Sequence, residues 1–429
     1  MKSFVKRFVI SVSASVVLFS LFSLNALFSD EIEILYHFGD AANDGLYPIS
    51  GPIVYNGIFY GMTNIGGSNS YGVVFSLDPT DTSNYSILRE FGAGSDGRLP
   101  QANLLAYNGN LFGMTNQGGT NGYGTIFSLD PTDTSNYSIL HSFSGFSGGQ
   151  SPYGNLIQKN GLLYGTTWAG GSANTGVIFS LDPTNTTYTV LHSFDDIAND
   201  GQYNGASLID YNNKLWGMTT AGGNSDNGVI FSLDPSNTAD YSIQHSFGSV
   251  LNDGDNPRGN LIVVNNIFYG MTAFGGDENG GIIFSLDPSD TSNYSILHNF
   301  VSEDGTQPYG DLFLFDGIFY GMTRTGGNNG KGIIFSMNTD GTNYSIRYNF
   351  TGAADSGANP RGGFTEFSNS LYAVAISGGN NNQGILFELI PSESGEGAPI
   401  PEPATLILFL LSFLGFGWRF KRKNRKSGN

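Results

Sequence analysis

The sequence predicts an all-β protein, a seven-bladed β-propeller of four-stranded antiparallel blades. Three observations carry this: a period near 52 residues that recurs seven times, a tight-turn signal inside each period, and a fourth-strand sequence displaced to the N-terminal end. A high glycine content (61), 14% aromatic and only 13% charged residues suit short strands joined by tight turns better than helices or disorder.

The period is read from Phe59-Tyr60-Gly61-Met62-Thr63. It returns as Phe112-Gly113-Met114-Thr115, Tyr164-Gly165-Thr166-Thr167, Trp216-Gly217-Met218-Thr219, Tyr269-Gly270-Met271-Thr272, Tyr320-Gly321-Met322-Thr323 and, degenerate, Tyr372-Ala373-Val374-Ala375. Residues 260–300 show the four strands of one unit. Asn260 to Val264 is followed by Asn265-Asn266, elsewhere Asn56-Gly57, Asn108-Gly109, Asn160-Gly161 or Asp316-Gly317. Such dipeptides between apolar runs specify a type I′ hairpin, because both central residues need positive φ. Strand two, Ile267 to Thr272, leads to Gly275-Gly276; strand three, Gly281 to Leu286, ends at Asp287-Pro288; strand four is Tyr294 to Phe300. The last unit has three strands and no fourth, while Ile34-Leu35-Tyr36-His37-Phe38 matches Ile139-Leu140-His141-Ser142-Phe143. The N-terminal strand is therefore expected to complete the last blade and close the ring, which also removes an open sheet edge; a linear array is the alternative.

Four segments are expected: a signal peptide over 1–29, the repeat domain over 30–391, a linker over 392–400 and a sorting segment over 401–426. The first has three basic residues, then an apolar stretch from Phe8 to about Phe28, as in a secretory signal for the Sec machinery; an uncleaved anchor is the alternative. At the other end, Pro401-Glu402-Pro403 precedes an apolar run over 404–418 and a basic tail from Arg419 to Lys426. Fifteen helical residues span only about 22 Å, a short transmembrane segment, with the basic tail expected in the cytoplasm. Tripeptide, short span and basic stop resemble the PEP-CTERM sorting signal. The resemblance implies processing by an exosortase-type enzyme near Pro401, Glu402 and Pro403, transient anchoring by the C-terminus, and a final place at the cell surface or in the extracellular matrix of a Gram-negative-type bacterium. The repeats themselves, with Tyr-Gly-Met-Thr, Gly-Gly and Gly-Val-Ile-Phe-Ser-Leu-Asp-Pro in order, resemble the GloVer (Gloeobacter/Verrucomicrobia-type) tandem-repeat family over about residues 33–390. That resemblance implies architecture and location, and no activity.

Net charge is −18, and residues 30–400 hold nine Lys/Arg against 35 Asp/Glu, a body charge of −26. Nucleic acid and anionic membrane surfaces are poor partners for such a body. The absence of cysteine excludes disulfides and thiolate chemistry. No phosphate-binding loop or His-Glu-x-x-His motif is present. The histidines, His37, His141, His192, His245 and His298, are read as one repeat position in strand four, where other units carry Arg89 and Tyr348. One per blade on a ring, they lack the mutual contact a triad needs and are assigned a structural role. The Met series (Met62, Met114, Met218, Met271, Met322) and the Phe series (Phe75, Phe127, Phe179, Phe231, Phe284, Phe335, Phe387) are read as core layers. On the loop face, Asp44, Asp96, Asp200, Asp253 and Asp304 each precede a glycine. They are candidate oxygen ligands for Ca²⁺, the plainer reading being that Asp-Gly makes a turn. No catalytic residue is singled out. The expected function is a non-catalytic binding or structural protein that meets exopolysaccharide or surface proteins through its loop face. The alternative is a carbohydrate-active hydrolase or lyase, with Trp168 beside Trp216 as its one exposed-aromatic departure.

Overall fold

The computed structural model describes residues 30–92 and 94–390. The segments read as signal peptide, linker and sorting signal lie outside them. Among the described residues the chain forms seven four-stranded antiparallel blades. Blade 1 comprises Ile53–Tyr55, Ile58–Thr63, Val73–Asp78 and Asp81–Glu90; blade 5 comprises Ile262–Val264, Ile267–Gly275, Ile282–Leu286 and Tyr294–Asn299. Each hairpin between the first two strands turns on left-handed residues, for example Asn56 and Gly57 at φ 51° and 80°, as the dipeptide signal requires.

The repeated Gly-Met-Thr has a packing cause at each position. A Cβ on Gly61 would lie 2.5 Å from the Phe75 ring, so glycine gives the strand-three phenylalanine room to lie across strand two; in blade 7 Phe387 lies opposite Ala373 instead. Met62 is buried. Thr63 donates to the Ile65 carbonyl at 2.9 Å and accepts from the Val73 amide at 3.3 Å, fixing the loop between strands two and three.

Closure is double. Blade 7 consists of Thr365–Phe367, Ser370–Ser377, Ile385–Ile390 and the N-terminal strand Glu31–His37, which runs antiparallel to Ile385–Ile390 with Glu33 opposite Glu388. Hydrophobic clusters then fill the seams between neighbouring blades. One joins Tyr320 and Met322 of blade 6 to Leu371 and Phe387 of blade 7; another joins Tyr372 and Leu386 of blade 7 to Phe59 and Phe75 of blade 1. The seam that closes the ring is built like the others, so the Phe and Met layers are indeed interblade core.

The link entering each blade pairs with the loop between its strands two and three, as in Gly45–Leu46 with Ile65–Gly66 and Gly97–Arg98 with Gln117–Gly118. Both loop types therefore share one face. In every link the residue at the position of Tyr47 is left-handed: Tyr47, Leu99, Ser151, Tyr203, Asn256, Gln307 and Asn359 all have φ between 53° and 57°. That kink sends the next residues toward the central channel.

Candidate functional site

The five loop-face aspartates are held one per blade and are not brought together. Each is engaged in a junction between blades. Asp200, almost fully buried, accepts from Tyr241 Oη of the next strand four at 2.5 Å, from the Asp195 and Gly201 amides at 2.9 and 2.7 Å, and pairs with His192 at 2.9 Å. Asp44 receives Tyr36, Tyr85 and the Gly39 and Gly45 amides; Asp96 receives Tyr137 and Arg89; Asp253 receives Tyr294 and His245. Burial opposes ionisation of Asp253, but its hydrogen bonds from His245 and Tyr294 outweigh it and hold the carboxyl below its usual range. Burial, reinforced by the adjacent aspartate, pushes the Tyr85, Tyr137, Tyr241 and Tyr294 hydroxyls well above theirs, so they serve as donors. Asp304 faces His298 at 3.1 Å, while Tyr344 donates to its backbone carbonyl. Among the described residues no three acidic or imidazole groups converge as a metal site. Carboxylate oxygens already filled by hydrogen-bond donors are poor Ca²⁺ ligands.

The histidine position needs one correction. His141, His192, His245 and His298 each stack face to face on the next blade's tyrosine at 3.7–3.9 Å. In the closing strand that place belongs to Tyr36, stacked on Tyr85 at 3.9 Å, and His37 is one residue along. Register skips Leu35, between Ile34 and Tyr36, just as it skips Leu140 in blade 2. The bulge is common to the blades, so the strands align without a shift and His37 stands at the place of Ser142. Arg89 fills the position in blade 1, with its guanidinium 4.0 Å from the Tyr137 ring centre. The second correction concerns Trp216, which is buried against Phe268, whereas Trp168 is half-buried at the channel mouth.

The channel is where the repeats cease to resemble one another. Its wall is a belt of blade-to-blade hydrogen bonds. The amides of Asn103, Asn155, Ser207 and Asn260 donate to the side-chain oxygens of Asn155, Ser207, Asn260 and Asp311, at 2.7, 2.7, 2.6 and 2.6 Å. Glycines at 363 and 51 interrupt the belt. Asp311 is the one carboxylate lining the channel among the described residues; burial raises its pKa, against hydrogen bonds from Asn260.

The equivalent residue two places earlier in each blade faces the same channel: Ile49, Gln101, Tyr153, Gly205, Arg258, Tyr309 and Arg361. The residue following strand two's Gly-Met-Thr adds Trp168 of blade 3 and Arg324 of blade 6. Arg258 lies 5.4 Å from both the Trp168 and Tyr309 rings; Arg324 and Arg361 lie 5.3 and 5.6 Å from Tyr309. Arg361 of blade 7 crosses the channel to donate to the Tyr153 hydroxyl of blade 3. Trp168 packs between Tyr153 and Tyr203, at 5.7 and 5.5 Å. Of this cluster the sequence pattern marked only Trp168, although a signal for the arginines is present: three of the nine basic residues in the body occupy two loop positions that are otherwise neutral.

With this geometry in place, the comparisons are specific. The model of the Gloeobacter/Verrucomicrobia repeat matches residues 17–231 and 218–396. The chain belongs to the Gloeobacter/Verrucomicrobia repeat family. In this member of the family the PEP-CTERM protein-sorting motif also matches, over residues 399–423. That motif supports export and C-terminal membrane anchoring in bacteria and implies exosortase-type processing at the segment holding Pro401, Glu402 and Pro403. Among the described residues no helix is long and apolar enough to cross a membrane; the apolar run over 404–418 lies outside them. No curated protein matches the chain significantly. Solved structures similar to this family member share its fold alone. PorZ, a bacterial surface component of the type-IX secretion system of Porphyromonas gingivalis, is 15% identical with TM-score 0.51, over 83% of this chain and 48% of that one. A Mycobacterium tuberculosis puromycin-hydrolyzing peptidase is 10% identical with TM-score 0.52, over 87% and 57%. An oligogalacturonate lyase from Vibrio parahaemolyticus is 11% identical with TM-score 0.50, over 84% and 97%. The chain thus spans about half the length of the first two.

Proposed function

We propose that this is a non-catalytic binding protein of the bacterial cell surface or matrix, of Gram-negative type, which engages exopolysaccharide through the channel mouth on its loop face. One observation carries the reading: the blades keep the same side chains where they lock to one another and depart from the repeat at the mouth, with Trp168, Tyr153, Tyr309 and three arginines. Aromatic faces with a few convergent polar groups are the usual composition of a ligand site. The sorting motif is consistent with an extracellular polymer as the ligand.

The alternative, a carbohydrate-active hydrolase or lyase, draws support from Asp311, whose raised pKa suits a general acid. Against it, both Asp311 oxygens are engaged by Asn260, at 2.6 and 2.8 Å. Glycoside hydrolysis by paired carboxylates needs a second one at a defined separation, and Asp311 stands alone in the channel wall among the described residues. Incubation of the full chain with purified exopolysaccharides tests the proposal: saturable retention with unchanged polymer length is expected. Shortened polymer or released unsaturated sugar would replace it with the enzyme reading.

A further inference from the structure

The body of the protein carries a large negative charge, yet three of its nine basic side chains converge on one mouth of the channel. Four of the other six are neutralised locally: Arg89 by Asp96, Lys159 by Asp210, Lys214 by Asp240 and Arg347 by Asp30. Among the described residues, none of Arg258, Arg324 and Arg361 has a carboxylate within ion-pair distance. They are held by neutral groups instead: Arg258 Nε donates to Asn256 Oδ1 at 2.8 Å, and Arg361 donates to Tyr153. Arg324 Nε is shielded from solvent with no hydrogen-bond partner. Loss of hydration, reinforced by the charges of Arg258 and Arg324, lowers the pKa of Arg361, although Tyr153 and Tyr309 oppose the shift. Like charges gathered without counter-ions in a half-buried site raise the free energy of the empty protein, and an anion relieves it.

We propose that the channel mouth binds a carboxylated saccharide, its carboxylate held by Arg258, Arg324 and Arg361 and its ring laid against Trp168. The proposal rests on the binding function given above and names its ligand class. Guanidinium forks match a carboxylate in plane and charge, with two parallel N–H···O bonds where geometry allows. The cavity bounded by Tyr153, Arg258, Tyr309 and Arg361 offers about 60 Å³. At ~10–15 Å³ per water-sized group, that admits a carboxylate and little more. The carboxylate is placed at the arginines, with the sugar ring outside them beside the half-buried Trp168. The acidic remainder of the body does not forbid this. At ~8 Å screening length in physiological salt, distant acids are screened while contacts at the mouth are not.

Calorimetric titration of the full chain with a glucuronate oligosaccharide, a neutral glucose oligosaccharide of equal length and inorganic phosphate tests it. Saturable binding of the uronate is expected, with neutral sugar and phosphate each at least tenfold weaker. Arg258→Gln and Arg324→Gln should each weaken the uronate at least tenfold with an unchanged denaturation midpoint. Arg361→Gln also removes the bridge to Tyr153 and unsettles the mouth, so Arg324→Gln is the deciding variant. Uronate binding should also alter the emission of Trp168, a change lost in Trp168→Phe. Equal binding of the neutral sugar, or arginine variants with full affinity, would overturn the anionic site while leaving a polysaccharide-binding protein. Phosphate binding as tightly as the uronate would overturn the saccharide assignment. Failure of these sugars and of every exopolysaccharide to bind would overturn both readings.

Discussion

Replacing Asp200 by alanine should destabilise the propeller by about 4 kcal/mol. The carboxylate is almost fully buried and is the acceptor for Tyr241 Oη, the Asp195 amide and the Gly201 amide, besides its pairing with His192. Each buried donor left without a partner costs about 1–3 kcal/mol; the three donors at the lower figure, with about 1 kcal/mol more for the lost His192 hydrogen bond and water entering the vacated space, bring the sum to about 4 kcal/mol. Tyr241→Phe strands no donor and keeps the ring on His192, so it loses one hydrogen bond to a charged acceptor, about 1.5–3 kcal/mol. The assay is urea denaturation at pH 7, with the slope of the transition checked against the parent. Blade 3 shows that the ring tolerates the change, since Tyr188 there donates at 2.8 Å to the Gly148 carbonyl in place of a carboxylate. The same titration with and without chelator bears on Ca²⁺: with its oxygens occupied by donors, Asp200 predicts an unchanged midpoint. An Asp200→Ala cost below 1 kcal/mol, or a midpoint that falls on chelation, would refute the reasoning.

Two further outcomes are expected. His141, with no carboxylate beside it, has its pKa pushed by burial from 6.5 to about 4. Between those values the unfolded chain binds a proton that the folded chain does not, so this stabilisation is complete above pH 6.5 and is lost as pH falls toward 4; His141→Phe should flatten the fall in urea midpoint between pH 7 and 4.5. For ring closure, the chain has no native cysteine, so Glu33→Cys with Glu388→Cys on directly opposed strands should form a cross-link within one molecule. Cross-linking solely between molecules would mean that the N-terminal strand does not complete the last blade.

The architecture was legible because it is written in backbone constraints. Asn56-Gly57 needs two left-handed residues, Gly61 must clear Phe75, and each recurs at the repeat period. The Asp-Gly positions were legible as sites but not as to role, since a carboxylate before a turn glycine looks the same whether it faces a cation or a tyrosine. A distinguishing signal was present in the chain itself. Asp44, Asp96, Asp200 and Asp253 each have their tyrosine 41 residues later. In blade 7, where Ile32 stands in the tyrosine position, the aspartate is replaced by Ser356. Donor and acceptor are lost together there, whereas blade 3 loses only the aspartate and turns Tyr188 to the Gly148 carbonyl. His37 was grouped with the other histidines by residue type, although the alignment of Ile34-Leu35-Tyr36-His37-Phe38 with Ile139-Leu140-His141-Ser142-Phe143 sets Tyr36 at the place of His141. Of the mouth only Trp168 was legible as a departure, because a repeat pattern reports what the blades share, whereas Arg258, Arg324 and Arg361 stand where they differ. Convergence of blades 3, 5, 6 and 7 on one point exists only once the ring is closed.

The most direct test of the account is a crystal structure of the protein with a glucuronate oligosaccharide. The account predicts a carboxylate within hydrogen-bonding distance of Arg258, Arg324 and Arg361 and a sugar ring against Trp168. A ligand bound instead on the opposite face or along the outer strands, with the mouth unchanged, would contradict it.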